Sequence, residues 1–120
     1  MKVGILTYHD INNFGAQLQA ASVQRFLAAS GVDAELIDFR PWRHEVRRNM
    51  TLVRALARMD FRRFGRELSR NQSFRSSIAE MAAISKRQAF LSRSVSEISK
   101  DYQVLVCGSD ELWNFGNYLG

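Results

Sequence analysis

KVGILTYHDINNFGAQLQAASVQRFLAASGVDAELIDF, the stretch from Lys2 to Phe39, decides the fold. It opens on KVGILTY, Lys2 to Tyr8, a short β-rich run, and closes on a second such run, AELIDF, Ala34 to Phe39. Near-continuous apolar runs of this length suit parallel strands covered by helices better than half-exposed edge strands. Between them Ala16, Ala20, Val23 and Leu27 recur at helical spacing, which predicts a helix over Ala16 to Ser30. Gly31 follows in the C′ position, where a helix ends through a left-handed residue. Strand, helix and strand form one βαβ unit, right-handed by the general rule for such crossovers.

Beyond this unit the pattern loosens. Pro41, the only proline, closes the second strand and starts an irregular connection through Trp42 and His44. From Thr51 to about Arg93 the periodicity is helical and broken. Leu52, Leu56 and Met59 make one stripe, and Phe61, Phe64 and Leu68 a second, offset across Asp60. Phe74, Ile78, Met81 and Ser85 make a third after a polar break at Ser69 to Gln72. Two or three basic helices are expected. Ser94 and Glu97 have the spacing of a capping box for one more short turn, and YQVLVC, Tyr102 to Cys107, is the third strand. The chain thus reads as one α/β domain over 1–120 with a short parallel sheet and a basic helical insertion at about 42–93. It holds no internal repeat, low-complexity tract or sustained heptad.

Composition narrows the function classes. A chain of 120 residues, 46% hydrophobic, with two tryptophans, suffices for a modest single core. No apolar run reaches the roughly 18 residues of a spanning helix, and the charged start leading into a strand is unlike a signal peptide. The expected compartment is the cytoplasm. Cys107 is the single cysteine, which excludes an internal disulfide; at the end of an apolar strand it reads as a small buried hydrophobe. Charge is divided unevenly. Arg40 to Arg93 carries 14 Lys and Arg against four acids, a net +10, whereas the remainder carries three bases and eight acids, a net −5. A basic helical stretch suits a solvated face, an acidic partner, an anionic membrane surface or nucleic acid. The helices lack the interleaved aromatic and glycine pattern of a single-strand binder, so no nucleic-acid partner is expected. Peripheral contact with the inner face of a membrane is compatible with the charge. The oligomeric state is not legible.

Two loops fall in equivalent places. Ligands of an open parallel α/β sheet bind outside the carboxyl ends of its strands, near helix N-termini. His9 to Gly15 (HDINNFG) leaves the first strand, and Gly108 to Asn114 (GSDELWN) leaves the last. Asn12 and Asn13 suit an N-cap, Gly15 admits close approach of a ligand to the backbone, and Asp110 and Asn114 have the chemistry to hydrogen-bond hydroxyls. This suits a sugar or a phosphate ester. The same residues also have bland uses: the asparagines as caps, Gly15 as a turn residue, Trp113 as a packing residue, Ser109 and Asp110 as a local turn. His9 and His44 stand without a second ligand at metal-binding spacing, so no metal site is expected. Ser109 lacks the G-x-S-x-G elbow, and neither G-x-G-x-x-G nor G-x-x-x-x-G-K-[ST] occurs. Asp38 lies where a dinucleotide fold places its ribose-binding acid, a weak signal without those glycines. No cofactor is expected.

Three elements in register resemble the polysaccharide pyruvyl transferase family: N-[YF]-G-A-x-L-Q at Asn13 to Gln19, I-D-[YF]-R-P at Ile37 to Pro41, and GSD-x-x-WN at Gly108 to Asn114. Glu111 and Leu112 stand where members commonly show Gln and Val. The resemblance covers nearly the whole chain and is to the amino-terminal half of the family. It implies a Rossmann-like three-layer half-domain of a two-domain fold similar to B-type glycosyltransferases. It also implies transfer of a pyruvyl group from phosphoenolpyruvate to saccharide hydroxyls in cell-surface polysaccharide biosynthesis. On this chain it puts Asn13, Gly15, Gln19, Ser109, Trp113 and Asn114 along the acceptor side of the cleft. Asp110 becomes the residue that orients or deprotonates a hydroxyl. The histidine and arginine that handle phosphoenolpyruvate fall in the other half. A sheet of three strands leaves apolar surface uncovered, so the 120-residue chain is expected to be partial and inactive alone. A non-catalytic saccharide-binding or regulatory remnant of the same fold is the alternative.

Overall fold

The computed structural model describes residues 1–7, 9 and 13–108. Its strands are β1 (Lys2–Leu6), β2 (Asp33–Phe39), β3 (Ile84–Ala89) and β4 (Val104–Cys107). They form a single all-parallel sheet in the order β3-β2-β1-β4. The helices are α1 (Phe14–Ala29), α2 (Trp42–Ala57), α3 (Phe61–Met81) and α4 (Ser92–Ile98), the last followed by a 3-10 turn at Ser99–Asp101. The architecture is that of a Rossmann-like half-domain.

Alternation along the central strands sorts two cores onto the two faces of the sheet. Val3 and Ile5 of β1 and Ala34 and Leu36 of β2 pack with Ala20, Ala21, Ile78 and Ala82, which puts α1 and α3 on one face. Ile37 and Ala89 pack with Ile98, Val95 and Tyr102 on the other, beneath α4. Gly4 faces this second layer. A Cβ there would lie 2.8 Å from the Tyr102 ring and 2.9 Å from Ile37, so only glycine lets the ring lie flat on β1. Tyr102 is fixed by donating its hydroxyl to Glu35 at 2.6 Å, and Lys2 pairs with the same carboxylate at 3.0 Å. Burial opposes ionisation of Glu35, but these two partners outweigh it and hold its carboxyl below the ordinary value.

The βαβ unit forms as expected, with Gly31 at φ 79° ending α1. Several other expectations are corrected. β3 was hidden inside the expected helical region. Its segment ISKRQA has no two-residue alternation, and its pairing with β2 skips from Leu36↔Ile84 to Asp38↔Gln88. The Ser85 hydroxyl fills that bulge, accepting from the Asp38 amide at 3.0 Å and donating to the Arg87 carbonyl at 2.9 Å. Ser85 is therefore a strand residue, not part of the helical stripe of Phe74, Ile78 and Met81. Pro41 opens α2 directly, because its fixed φ is compatible with a helix entry, and no irregular connection intervenes. The polar run Ser69 to Gln72 does not break α3: Ser69, Arg70 and Gln72 are tolerated on its exposed face, and Asn71 is buried within it. Ser94 lies inside α4, which Leu91 precedes without a side-chain cap, so there is no capping box. Cys107 is exposed rather than buried, because β4 is an edge strand among the described residues and Val104 and Leu105 beside it are also exposed.

Candidate functional site at the carboxyl ends of β1, β2 and β4

The strand order places a reversal between β1 and β4. From β1 the chain crosses to β2 and on to β3, then returns past β1 to β4 on its other side. In open α/β sheets such a switch point opens a crevice at the carboxyl ends of the two strands. β1 and β4 are in register from Val3↔Val104 to Leu6↔Cys107, and the Gly108 amide donates to the Leu6 carbonyl at 3.1 Å. Thr7 and Gly108 consequently leave the sheet side by side. Sequence reasoning put the two segments that begin there at equivalent ends of separate strands; the structure makes those strands neighbours.

On the first segment, Asn13 is the N-cap of α1. Its extended backbone turns the side chain inward, and Oδ1 accepts from the amides of Gly15 at 3.0 Å and Ala16 at 3.4 Å. Gly15 occupies the first turn of α1, and a Cβ there would make only ordinary contact with Asn13. Neither backbone conformation nor packing within the described residues demands a glycine at this place. Asn13, Gly15 and Gln19 are all exposed. Asn12, Ser109, Asp110, Trp113 and Asn114 lie outside the described residues.

Beneath these residues lies a buried polar cluster that the sequence reading did not assemble. Arg40 forks onto Asp38, Nε to Oδ1 at 2.8 Å and the terminal nitrogen to Oδ2 at 2.9 Å. His9 Nε2 approaches the same Oδ1 at 3.4 Å, without the alignment of a hydrogen bond. His9 Nδ1 faces the Thr7 carbonyl at 3.2 Å, which can only accept, so Nδ1 is the donor in that contact. Gln17 reaches back from α1, its Nε2 donating to the carbonyls of His9 at 3.1 Å and Phe74 at 2.9 Å. Thr7, His9, Gln17 and Asp38 are all buried. Burial opposes ionisation of Asp38, but the His9 contact and the Arg40 fork outweigh it and hold the carboxyl below its ordinary value.

The cluster clamps the end of β2 to the segment after β1 and anchors that segment to α1 and α3. Asp38 near the end of β2 and Arg40 one residue beyond it, whose amide still bonds the Ala89 carbonyl, share a face; that spacing was the available signal. His9 carries no such signal, because only the fold brings it to β2. With both oxygens held by Arg40, Asp38 is an ion-pair partner and not a free ribose acceptor. Among the described residues no group of three or more His, Cys, Asp or Glu is placed to hold a metal ion. Nor is any helix long and apolar enough to cross a membrane.

Asn13, Gly15 and Gln17 fall in the first of the three sequence elements singled out above, and Asp38 and Arg40 of the clamp in the second; the family model described as polysaccharide pyruvyl transferase matches residues 13–120. The chain belongs to the polysaccharide pyruvyl transferase family. The match takes in I-D-F-R-P, whose Asp38 and Arg40 form the clamp, and GSDELWN, which follows directly on Cys107. No match was found among curated proteins or among solved structures.

Proposed function

We propose that this chain forms the acceptor side of a pyruvyl transferase that moves a pyruvyl group from phosphoenolpyruvate onto saccharide hydroxyls of a cell-surface polysaccharide. The family match supports the reaction class. One structural observation carries the placement: β1 and β4 are adjacent in register, so the segments bearing Asn13, Gly15 and Gln19 and bearing Ser109 and Asp110 start from one edge of one crevice. In the reaction, two saccharide hydroxyl oxygens bond to C2 of phosphoenolpyruvate; of the two protons released, in net one adds to the terminal methylene to make a methyl and the other leaves with inorganic phosphate as its bond to C2 breaks. The product is a cyclic ketal.

On this reading Asp110 orients or deprotonates the attacking hydroxyl. Ser109, Asn114, Asn13 and Gln19 hydrogen-bond the sugar, and Trp113 stacks against its apolar face. Gly15 contributes by leaving room at the start of α1. The absence of crowding among the described residues at Gly15 is consistent with close approach of a ligand to the backbone there. Phosphate and carboxylate of the donor need cationic groups beyond those of this wall, since Arg40 is already engaged by Asp38. We therefore propose that the 120-residue chain binds acceptor without turning over donor. The test is equilibrium binding of a panel of hexoses and N-acetylhexosamines, alongside phosphoenolpyruvate, to the purified chain and to Asp110→Asn. Saccharide affinity that drops about tenfold or more in the variant supports the reading. Saccharide binding indifferent to Asp110, or ketal formation by the chain alone, contradicts it.

A further inference from the structure

The α2–α3 hairpin is built the wrong way round for a helix pair that serves only to cover the sheet. The face of α2 packed toward α3 carries Ala55, Leu52 and an ion-pair knot, in which Glu45 accepts from Arg48 of its own helix and from Arg75 of α3 at 2.7 Å. The outward face carries the large apolar side chains. Trp42, Val46, Met50 and Val53 are 49%, 45%, 47% and 62% exposed. At 100° per residue they fall within roughly 80° of one another, a continuous stripe along the helix. Arg43, Arg47 and Arg54 follow on the adjoining strip, and Arg43 lies over the Trp42 ring at 5.6 Å. Glu45 is the only acid of α2, and it is engaged on the packed face.

Where α2 turns into α3, a cleft of about 210 Å³ is lined by Thr51, Arg54, Ala55, Arg58, Asp60 and Arg63. Among the described residues none of the guanidinium groups of Arg54, Arg58 and Arg63 is held in an ion pair. Asp60, the one carboxylate there, accepts from the Arg63 backbone amide and caps α3.

We propose that this hairpin is a peripheral docking surface for an anionic phospholipid bilayer. α2 lies in the plane of the interface with its Trp42-to-Val53 stripe among the acyl chains, and the arginine-lined cleft receives a lipid phosphate. A tryptophan at one end of an apolar stripe, with a row of cations beside it, is the pattern of an interfacial helix. Charge complementarity chooses the occupant. A second copy of this chain would bring a like row of arginines against this one, whereas a bilayer containing phosphatidylglycerol supplies phosphates at every point along the row. The inference stands apart from the reading of the acceptor site, since no residue is shared between them.

The test is co-sedimentation of the whole chain with vesicles of phosphatidylcholine alone or of phosphatidylcholine containing phosphatidylglycerol. The chain pellets with the anionic vesicles and not with the neutral ones, and its tryptophan emission shifts to the blue. Val46→Asp with Val53→Asp lowers partitioning tenfold or more. Arg54→Glu with Arg58→Glu lowers it further than the roughly fivefold expected for each cation lost near a surface. All four positions are exposed, so circular dichroism is unchanged; where it is not, Val46→Ser and Arg54→Gln serve instead with smaller losses in the same direction. Equal binding to neutral vesicles, no binding, or binding unmoved by these variants overturns the proposal. So does a dimer that Val46→Asp dissociates, which assigns the stripe to a second copy. Inorganic phosphate that competes fully for the chain, with the stripe variants silent, reduces the cleft to an ion site and overturns it as well.

Discussion

Two helices of this protein end through the same backbone device and turn different kinds of residue toward the fold. α1 closes with the Val32 amide on the Leu27 carbonyl and the Gly31 amide on the Ala28 carbonyl, each at 3.0 Å. α2 closes with the Asp60 amide on the Ala55 carbonyl and the Met59 amide on the Leu56 carbonyl, also at 3.0 Å. Both are Schellman endings. In the first, the left-handed residue is a glycine at φ 79°; in the second it is Met59 at φ 54°, with its side chain out in solvent. α1 buries Ala20 and Ala21 against the sheet and leaves Phe14, Leu18 and Phe26 exposed, whereas α2 buries only Ala55, turns a partly buried salt-bridge knot toward α3 and exposes Trp42, Val46, Met50 and Val53 in one stripe. Periodicity says that a segment is helical. It does not say which face the fold covers.

Truncating one leucine from the core that α1 covers and one from α2 probes that contrast most severely. Leu36, wholly buried in β2, loses about 2–5 kcal/mol of stability on Leu36→Ala. Leu56→Ala in α2, where the side chain is half exposed, changes stability by less than about 0.5 kcal/mol. Chemical denaturation of the two variants side by side reads both numbers, and comparable losses would mean that Leu56 is covered.

The buried clamp comes next. Asp38→Asn leaves Arg40 without its fork and costs about 3 kcal/mol at neutral pH. The wild-type carboxyl titrates below its ordinary value, so its contribution is fully present above that value of 3.8 and is lost as pH falls through the lowered folded-state value. Acid unfolding therefore steepens below about pH 4 in the wild type, and Asp38→Asn flattens that limb. An acid limb identical in the two proteins would show that Asp38 is not held ionised by His9 and Arg40.

The smallest effect is a gain. Met59→Gly relieves a left-handed backbone that a branched or long side chain occupies at a cost, and raises stability by about 0.5–1 kcal/mol. The corresponding change in α1 runs the other way, because Gly31→Ala puts a Cβ into the same region. Thermal melts of both variants give the sign. A loss in Met59→Gly would imply that the methionine packs against something in solution.

These differences explain what could be read from the chain and what could not. β1, α1 and β2 were legible because Val3, Ile5, Ala20, Leu36 and Ile37 are placed by periodicity and buried by the sheet, so pattern and packing agree. β3 was not legible because Lys86, Arg87 and Gln88 sit on a bulged edge where the two-residue period fails. Without β3 the strand order, and with it the switch point between β1 and β4, was hidden. At the site, Asn13 announced itself as a cap and Asp38 as an acid at a strand end. The partnership of His9, Asp38 and Arg40 needed the β1–β2 register to appear. The α2 stripe of Trp42, Val46, Met50 and Val53 was not read, because the helix is expected only from Thr51, on the spacing of Leu52, Leu56 and Met59; the exposure of the stripe follows from Glu45, Arg48 and Arg75 taking the packed face.

The central claim is that the crevice at the carboxyl ends of β1 and β4 receives the saccharide. Its most direct test is a map of amide chemical shifts in the isotopically labelled chain during titration with the tightest-binding saccharide of the panel. The account predicts shifts concentrated at Asn13, Gly15, Gln19 and Gly108, with the amides of α2 and α3 unmoved. Shifts confined to the α2–α3 hairpin, or a saccharide that binds while Asn13, Gly15 and Gly108 stay still, would contradict it.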